Sequence, residues 1–531
     1  MSNRALNVLP PQYKTPIFRR NSFFIQLMAN NKKSSFAISR MFSIFVANNK
    51  SINMQTDIIG RKNEIAVLEE ARQSKEAEMV AIMGRRRIGK TFLITNTYQK
   101  HIVFELSGAQ GATMPQQLKN FRDELTTAYD RTLPIAIPED WLSAFQLLKQ
   151  YVKTLDITEK KVLFFDEVPW LAGHKSGFLE ALGYFWNSWA SRQNLIVVIC
   201  GSAASWMIRR VVHDKGGLHN RITKRIYLQP FTLLETEVFL KANAVFYDRF
   251  QLVQLYMALG GVPQYLKEVK VGQSAAQNID RICFSKDGQL HDEFSKLYTA
   301  LFTNADKHLA VIRALVLKWK GMNRIEIIEK TKIDSGGGIS NLLEELEQSG
   351  FITSYLPFGN KQREKIYRLT DAYSLFFLHF IEKNSTEAGT WLKISQSQKF
   401  KSWSGYAFEN ICLSHLPQIK KALGIGGVYT SASTFYKNST PDLGGAQIDL
   451  VLDRNDRIVN LFEMKFYDTV FVPTPNFADA LREKKTVFKA YTDTKKHLSW
   501  VVVSAFGIKQ NQYSLGLVDN ILTLDALFED I

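Results

Sequence analysis

Gly84-Arg85-Arg86-Arg87-Ile88-Gly89-Lys90-Thr91 has the spacing G-x-x-x-x-G-K-[ST]. The two glycines permit a bend that aims backbone N–H groups inward at phosphate oxygens. Lys90 reaches the β- and γ-phosphates, and the Thr91 hydroxyl ligates Mg²⁺. Gly84 to Thr91 is therefore the expected cradle for ATP. Such a cradle needs an acidic strand end beside it. Val162-Leu163-Phe164-Phe165-Asp166-Glu167 supplies one. Asp166 is expected to hold Mg²⁺, directly or through water, and Glu167 to orient and deprotonate the attacking water. A third apolar run, Leu195–Cys200, ends in Gly201-Ser202. Ser202 reads either as a sensor of the γ-phosphate or as a cap on the next helix.

A second set of chemical residues lies near the C-terminus. Glu409 sits on an amphipathic helix, Asp449 in the run Gln447–Leu452, and Glu463 and Lys465 in Ile458–Phe466. The turn Asp453-Arg454-Asn455-Asp456 makes the last two runs a hairpin. Glu463 and Lys465 are two apart and share a strand face. Two carboxylates and a lysine suit metal-assisted phosphodiester hydrolysis. Asp449 and Glu463 would bind Mg²⁺ or Mn²⁺, Lys465 would position the water, and Glu409 would complete the site. On spacing alone, a solvated strand face explains the same residues.

Particular elements must position these groups. Glu78–Met83 is a short apolar run, readable as a buried strand that leads into the loop. A helix starting at Thr91 adds its N-terminal dipole to the anion site. In the middle, residues 307–321, 325–331 and 339–346 read as three short helices, and Phe351–Thr353 with Lys365–Leu369 as a hairpin. Lys361, Arg363 and Lys365 would lie on or beside its tip, available to DNA phosphates. Glu344, Glu345 and Glu347 oppose such contact along the third helix. DNA binding and pure mechanical coupling both fit this segment.

The 531 residues exceed one usual core, so two to four domains are expected. With 67 Lys and Arg against 51 Asp and Glu, the net charge is +16, which suits a polyanionic partner such as DNA. The three cysteines are far apart, which argues against a disulfide framework and a zinc site and for a reducing, cytoplasmic setting. No apolar run approaches the roughly 20 residues of a membrane span, so no membrane partner is expected. Residues 1–56 hold eight Lys and Arg and no acid. They read as a dispensable basic extension, a targeting peptide, or sequence upstream of a start at Met54.

Together these parts resemble an AAA+-type ATPase of the archaeal ATPase branch, close to the signal-transduction NTPases. The likeness rests on Ile58-Ile59-Gly60-Arg61, the arginine-rich loop, Phe165-Asp166-Glu167, Gly201-Ser202, Arg221-Ile222 with Leu228-Gln229-Pro230-Phe231, and Gly260-Gly261-Val262-Pro263. It implies a helical lid, with Pro263 near the base. Arg221, with Arg225 as runner-up, is the candidate finger for a neighbouring subunit's γ-phosphate in a homo-oligomer. Asn220 stands where the family has glycine. The C-terminal order of helix Glu, strand Asp and strand Glu-x-Lys is similar to the PD-(D/E)XK nuclease fold. The expected fold is α/β: a P-loop NTPase parallel sheet (57–234), a helical lid (235–295), a winged helix (300–375), a linker (376–400) and a restriction-endonuclease-like domain (401–531). The expected function is ATP hydrolysis coupled to a metal-dependent nuclease-like unit acting on DNA. An ATP-gated interaction switch with an inert nuclease-like unit is the alternative.

Overall fold

Strand β1 (Glu78–Met83) is buried at every position, as a central strand covered on both faces must be. The computed structural model describes residues 58–130, 135–213, 216–302, 304–359, 364–384, 387–441 and 444–531. The basic extension and the hairpin-tip residues Lys361 and Arg363 lie outside the described residues. With β2 (Ile102–Ser107), β3 (Lys161–Asp166), β4 (Leu195–Gly201) and β5 (Lys224–Tyr227), β1 forms a parallel sheet of order β2-β3-β4-β1-β5. Met79, Ala81 and Met83 pack into one apolar layer, and Val80 and Ile82 into the other. The strand period of two thus builds a helix–sheet–helix sandwich. β1 and β3 run in the same direction and end at the same sheet edge, with β4 between them. Their C-terminal edge carries the glycine loop, Asp166 and Ser202. Helix α1 (Lys90–Thr97) starts immediately after the loop.

Residues 235–295, expected as the lid, include α2 (Arg249–Leu259), and the middle segment includes α3 (Ala305–Leu315), α4 (Arg324–Thr331) and α5 (Gly337–Gln348). Strands β6 (Met322–Asn323), β7 (Ile352–Tyr355) and β8 (Ile366–Leu369) form an antiparallel sheet of order β6-β8-β7. Residues 376–400, expected to link, include buried aromatic residues among the described positions. Phe376, Phe380 and Trp391 are buried, and the Phe284 and Trp391 rings stack 5.8 Å apart. Apolar aromatics at that density cannot remain solvated, so the stretch joins the core.

Past it come α6 (Gln398–Ser414), β9 (Thr430–Lys437), β10 (Ala446–Arg454), β11 (Ile458–Lys465), α7 (Pro475–Thr492), β12 (His497–Ser504) and β13 (Asn520–Leu522). Their sheet has the order β13-β12-β11-β10-β9. β9, β10 and β11 pair antiparallel, and β11, β12 and β13 parallel. One face, with Leu450, Leu452, Phe462 and Met464, packs into a core shared with lid and middle segment. The other, with Val451, Val459 and Leu461, packs on Leu481 and Phe488 of α7. Among the described residues no helix is long and apolar enough to cross a membrane.

Candidate nucleotide site and C-terminal carboxylate cluster

The glycine loop closes on its own lysine. Lys90 Nζ donates to the carbonyls of Gly84 and Arg85, each at 2.9 Å, and to Ser202 Oγ at 3.1 Å. Gly84 has no room for a side chain, because a Cβ there would lie 2.4 Å from the Leu228 carbonyl oxygen. The Thr91 hydroxyl donates to Asp166 Oδ2 at 2.6 Å. Asp166 Oδ1 accepts from the Glu167 N–H at 2.9 Å. Glu167 holds a left-handed backbone, φ 47° and ψ 49°, at the start of the helix Val168–Leu171. A non-glycine residue there is strained, and the carboxylate explains what holds it. Its Oε2 accepts from Ser202 N–H at 3.0 Å, and its Oε1 accepts from the Ser202 hydroxyl. Ser202 therefore bonds to Glu167 and Lys90, and the helix Ala204–Met207 has no side-chain cap. Lys90, Thr91, Asp166, Glu167 and Ser202 form one hydrogen-bonded network. The paired oxygens of Thr91 and Asp166 suit Mg²⁺, which commonly takes one or two protein oxygens beside phosphate and water.

The three loop arginines each dock elsewhere. Arg85 forms a buried ion pair with Asp371, just past β8. Arg86 lies over the Trp170 ring, 5.6 Å from its centre. Arg87 pairs with Glu293 at 2.8 Å, and its carbonyl accepts from the Gln264 N–H at 3.4 Å. That bond sets the segment beginning at buried Pro263 against the loop. Ile88 is buried, and its carbonyl accepts from Arg61 Nη2 at 3.2 Å. Asp371 and Glu293 escaped the sequence reading because no spacing rule connects them to the loop.

Arg221 does not join this network. It is exposed and lines a cavity of about 990 Å³ with Arg192 and Lys160. The neighbouring Thr223 N–H bonds to Met79, near the opposite end of β1 from the glycine loop. Arg225 is exposed on β5.

Two of the three C-terminal carboxylates, Glu409 and Glu463, are paired with basic side chains. Glu463 and Lys465 share the strand face that α7 covers. Glu463 Oε1 meets Lys465 Nζ at 2.7 Å, and Oε2 meets Lys484 Nζ of α7 at 2.7 Å. Burial acts to raise the Glu463 carboxyl, but Lys484 and Lys465 hold it below its ordinary range. Glu409 comes from α6 and pairs with Arg368 of β8 at 3.1 Å. Asp449 lies where the β9–β10 register shifts between Ile448 and Val451, a bulge that re-aims its side chain. Gln447 donates to its Oδ1 at 2.9 Å. Burial raises Asp449, and the Glu463 charge adds to the effect. Burial and then the Asp449 charge push Glu409 up to about 8. Among the described residues no group of three His, Cys, Asp or Glu side chains is placed to hold a metal ion. Of the three expected metal ligands, Glu409 pairs with Arg368, and Glu463 with Lys465 and Lys484. Lys484 and Arg368 carry no local sequence signal, because they sit 21 and 41 residues from the carboxylates they meet.

Comparison with known proteins bears on the first site. An uncharacterized protein of Methanocaldococcus jannaschii is 22% identical over 415 residues, 77% of this chain and 88% of that one. The Walker-type ATPase PABY2304 of Pyrococcus abyssi overlaps 61% of this chain and 96% of its own, at 17% identity and TM-score 0.45. The Aeropyrum pernix ORC2 protein overlaps 64% and 96%, at 13% identity and TM-score 0.37. Residues 58–269, which hold the glycine loop, both acidic strand-end residues, Ser202 and the Pro263 segment, match the family model of an ATPase domain predominantly from Archaea, and that match supports ATPase activity for this part of the chain.

Proposed function

We propose that the chain is an ATP-driven switch: its P-loop site binds and hydrolyses ATP, and its middle and C-terminal parts respond to nucleotide. The observation that carries this reading is the five-residue network of Lys90, Thr91, Asp166, Glu167 and Ser202 at one sheet edge. Lys90 would hold the β- and γ-phosphates. Glu167 would orient a water and take its proton, with Ser202 fixing the carboxylate. Thr91 and Asp166 would hold Mg²⁺, which when bound neutralises phosphate charge. Calorimetric titration with ATP tests the reading. Lys90→Ala should lose binding. Glu167→Gln should bind ATP while turnover falls at least about 100-fold. Unchanged ATP affinity in the first variant, or normal turnover in the second, would remove it.

The finer reading concerns the rest of the chain. The three helices and small antiparallel sheet of the middle support a winged helix, and the C-terminal sheet with its carboxylates supports a PD-(D/E)XK-like unit. Two observations favour coupling over DNA cleavage. Glu345 of α5 pairs with Arg209 of the ATPase core, so the would-be recognition helix is engaged internally. Arg368 and Lys484 occupy the carboxylates that a nuclease would offer to metal. Supercoiled DNA with Mn²⁺, with and without ATP, should remain uncut. Cleavage that disappears in Glu463→Ala would restore the nuclease reading.

A further inference from the structure

A cavity of about 740 Å³ lies where the glycine loop, lid, middle sheet and C-terminal unit meet. Arg85, Arg368, Trp403, Asn410, Gln418 and Ser433 all line it. Each of these six residues is more than nine-tenths buried. Each also has a polar atom shut off from solvent and without a hydrogen-bond partner: Arg85 Nε and Nη2, Arg368 Nε, Trp403 Nε1, Asn410 Oδ1, Gln418 Oε1 and Ser433 Oγ. An unpaired buried polar atom is costly, so native proteins rarely gather several around one space. Met257, Leu375 and Leu450 supply apolar wall between them. Lys90, Thr91, Asp166 and Glu167 do not line the cavity, so it is separate from the phosphate cradle.

We propose that this cavity is a binding site for a small amphipathic anion. Its anionic head would accept from the spare N–H groups of Arg85 and Arg368 once those side chains turn toward it, and its apolar or aromatic body would fill the space toward Met257, Leu375 and Leu450. Asn410 and Gln418 offer carbonyl oxygens to a donor on the ligand. Each arginine already has one carboxylate, Asp371 or Glu409, and keeps further N–H groups for a second acceptor. The volume matches small-molecule sites, which run to about 300–1,000 Å³. Water is the competing occupant. It could satisfy the polar atoms, but it has few partners along the apolar wall. This inference goes beyond nucleotide hydrolysis and does not rest on it.

The test uses the whole chain and 1-anilinonaphthalene-8-sulfonate, an aromatic sulfonate with the required chemistry. Fluorescence titration should show one saturable site per chain. Ala407→Phe on α6 and Ser433→Phe on β9 each fill the cavity from a different wall, and each should weaken the probe at least tenfold while ATP affinity stays within threefold. Lys90→Ala should bind the probe as wild type does. Probe binding at the wild-type affinity in both filled variants, or probe lost in Lys90→Ala, would overturn the proposal. A crystal of the wild-type chain soaked with the probe gives a readout independent of variant folding. Probe density beside Arg368 is expected; a cavity holding only ordered water would overturn the site.

Discussion

Arg85 of the glycine loop and Asp371, 286 residues further on, form an ion pair buried from solvent. The same aspartate caps the next helix, accepting from the Ser374 N–H at 2.8 Å and the Ser374 hydroxyl at 2.6 Å. Three residues before it, Arg368 reaches Glu409. One short segment therefore carries the partner of the phosphate loop at one end and the partner of the C-terminal cluster at the other.

Removing one member of that pair should be costly, because it strands a buried charge. Asp371→Asn is expected to destabilise the chain by about 3–5 kcal/mol, read from urea unfolding. The double variant Arg85→Met with Asp371→Leu should recover most of the loss, since apolar residues of similar volume replace such pairs well. Additive losses would show that the two residues do not depend on each other.

Ser202 bonds to Glu167 twice and receives Lys90. Ser202→Ala removes only the hydroxyl, leaving the carboxylate held by one N–H. Turnover should fall about tenfold through lost orientation, while ATP affinity changes less than threefold. An equal loss in binding and turnover would assign the serine to ATP binding instead.

The Glu409 carboxyl is pushed up to about 8, first by burial and then by the Asp449 charge. Between its ordinary value near 4.5 and about 8, the folded chain keeps a proton that the unfolded chain releases. This contribution to stability is complete below the ordinary value and is lost as pH rises through about 8. One such proton corresponds to a slope of about 1.4 kcal/mol per pH unit. Melting temperature should fall from pH 5 to 8, and Glu409→Gln should flatten the fall. A parallel slope in that variant would place the titration elsewhere.

Arg221 is exposed, and its backbone N–H donates to the Leu218 carbonyl at 3.0 Å. If it completes a neighbour's site, Arg221→Ala should cut turnover by about 10³ with ATP affinity intact. Mixing it with Lys90→Ala chains should restore part of the activity, because intact loops then meet intact arginines. Normal turnover in Arg221→Ala alone would exclude the role.

The phosphate cradle was legible because its chemistry is local. Two glycines, a lysine and a threonine within eight residues specify a bend, a charge and a hydroxyl wherever the chain goes. The acidic end of β3 was legible for the same reason, since an apolar run followed by two acids must end at a solvent edge. Fold class followed from apolar runs interleaved with helical spacing. Tertiary packing alone decided the partners. Asp371 for Arg85, Glu293 for Arg87, and Lys484 for Glu463 are far apart in sequence, and no periodicity brings them together. The same holds for the bulge at Asp449, which depends on β9 pairing out of register with β10. Strand spacing grouped Glu463 with Lys465, but the pairing of Glu463 with Lys484 and of Glu409 with Arg368 was decided only when α7 and β8 packed beside them.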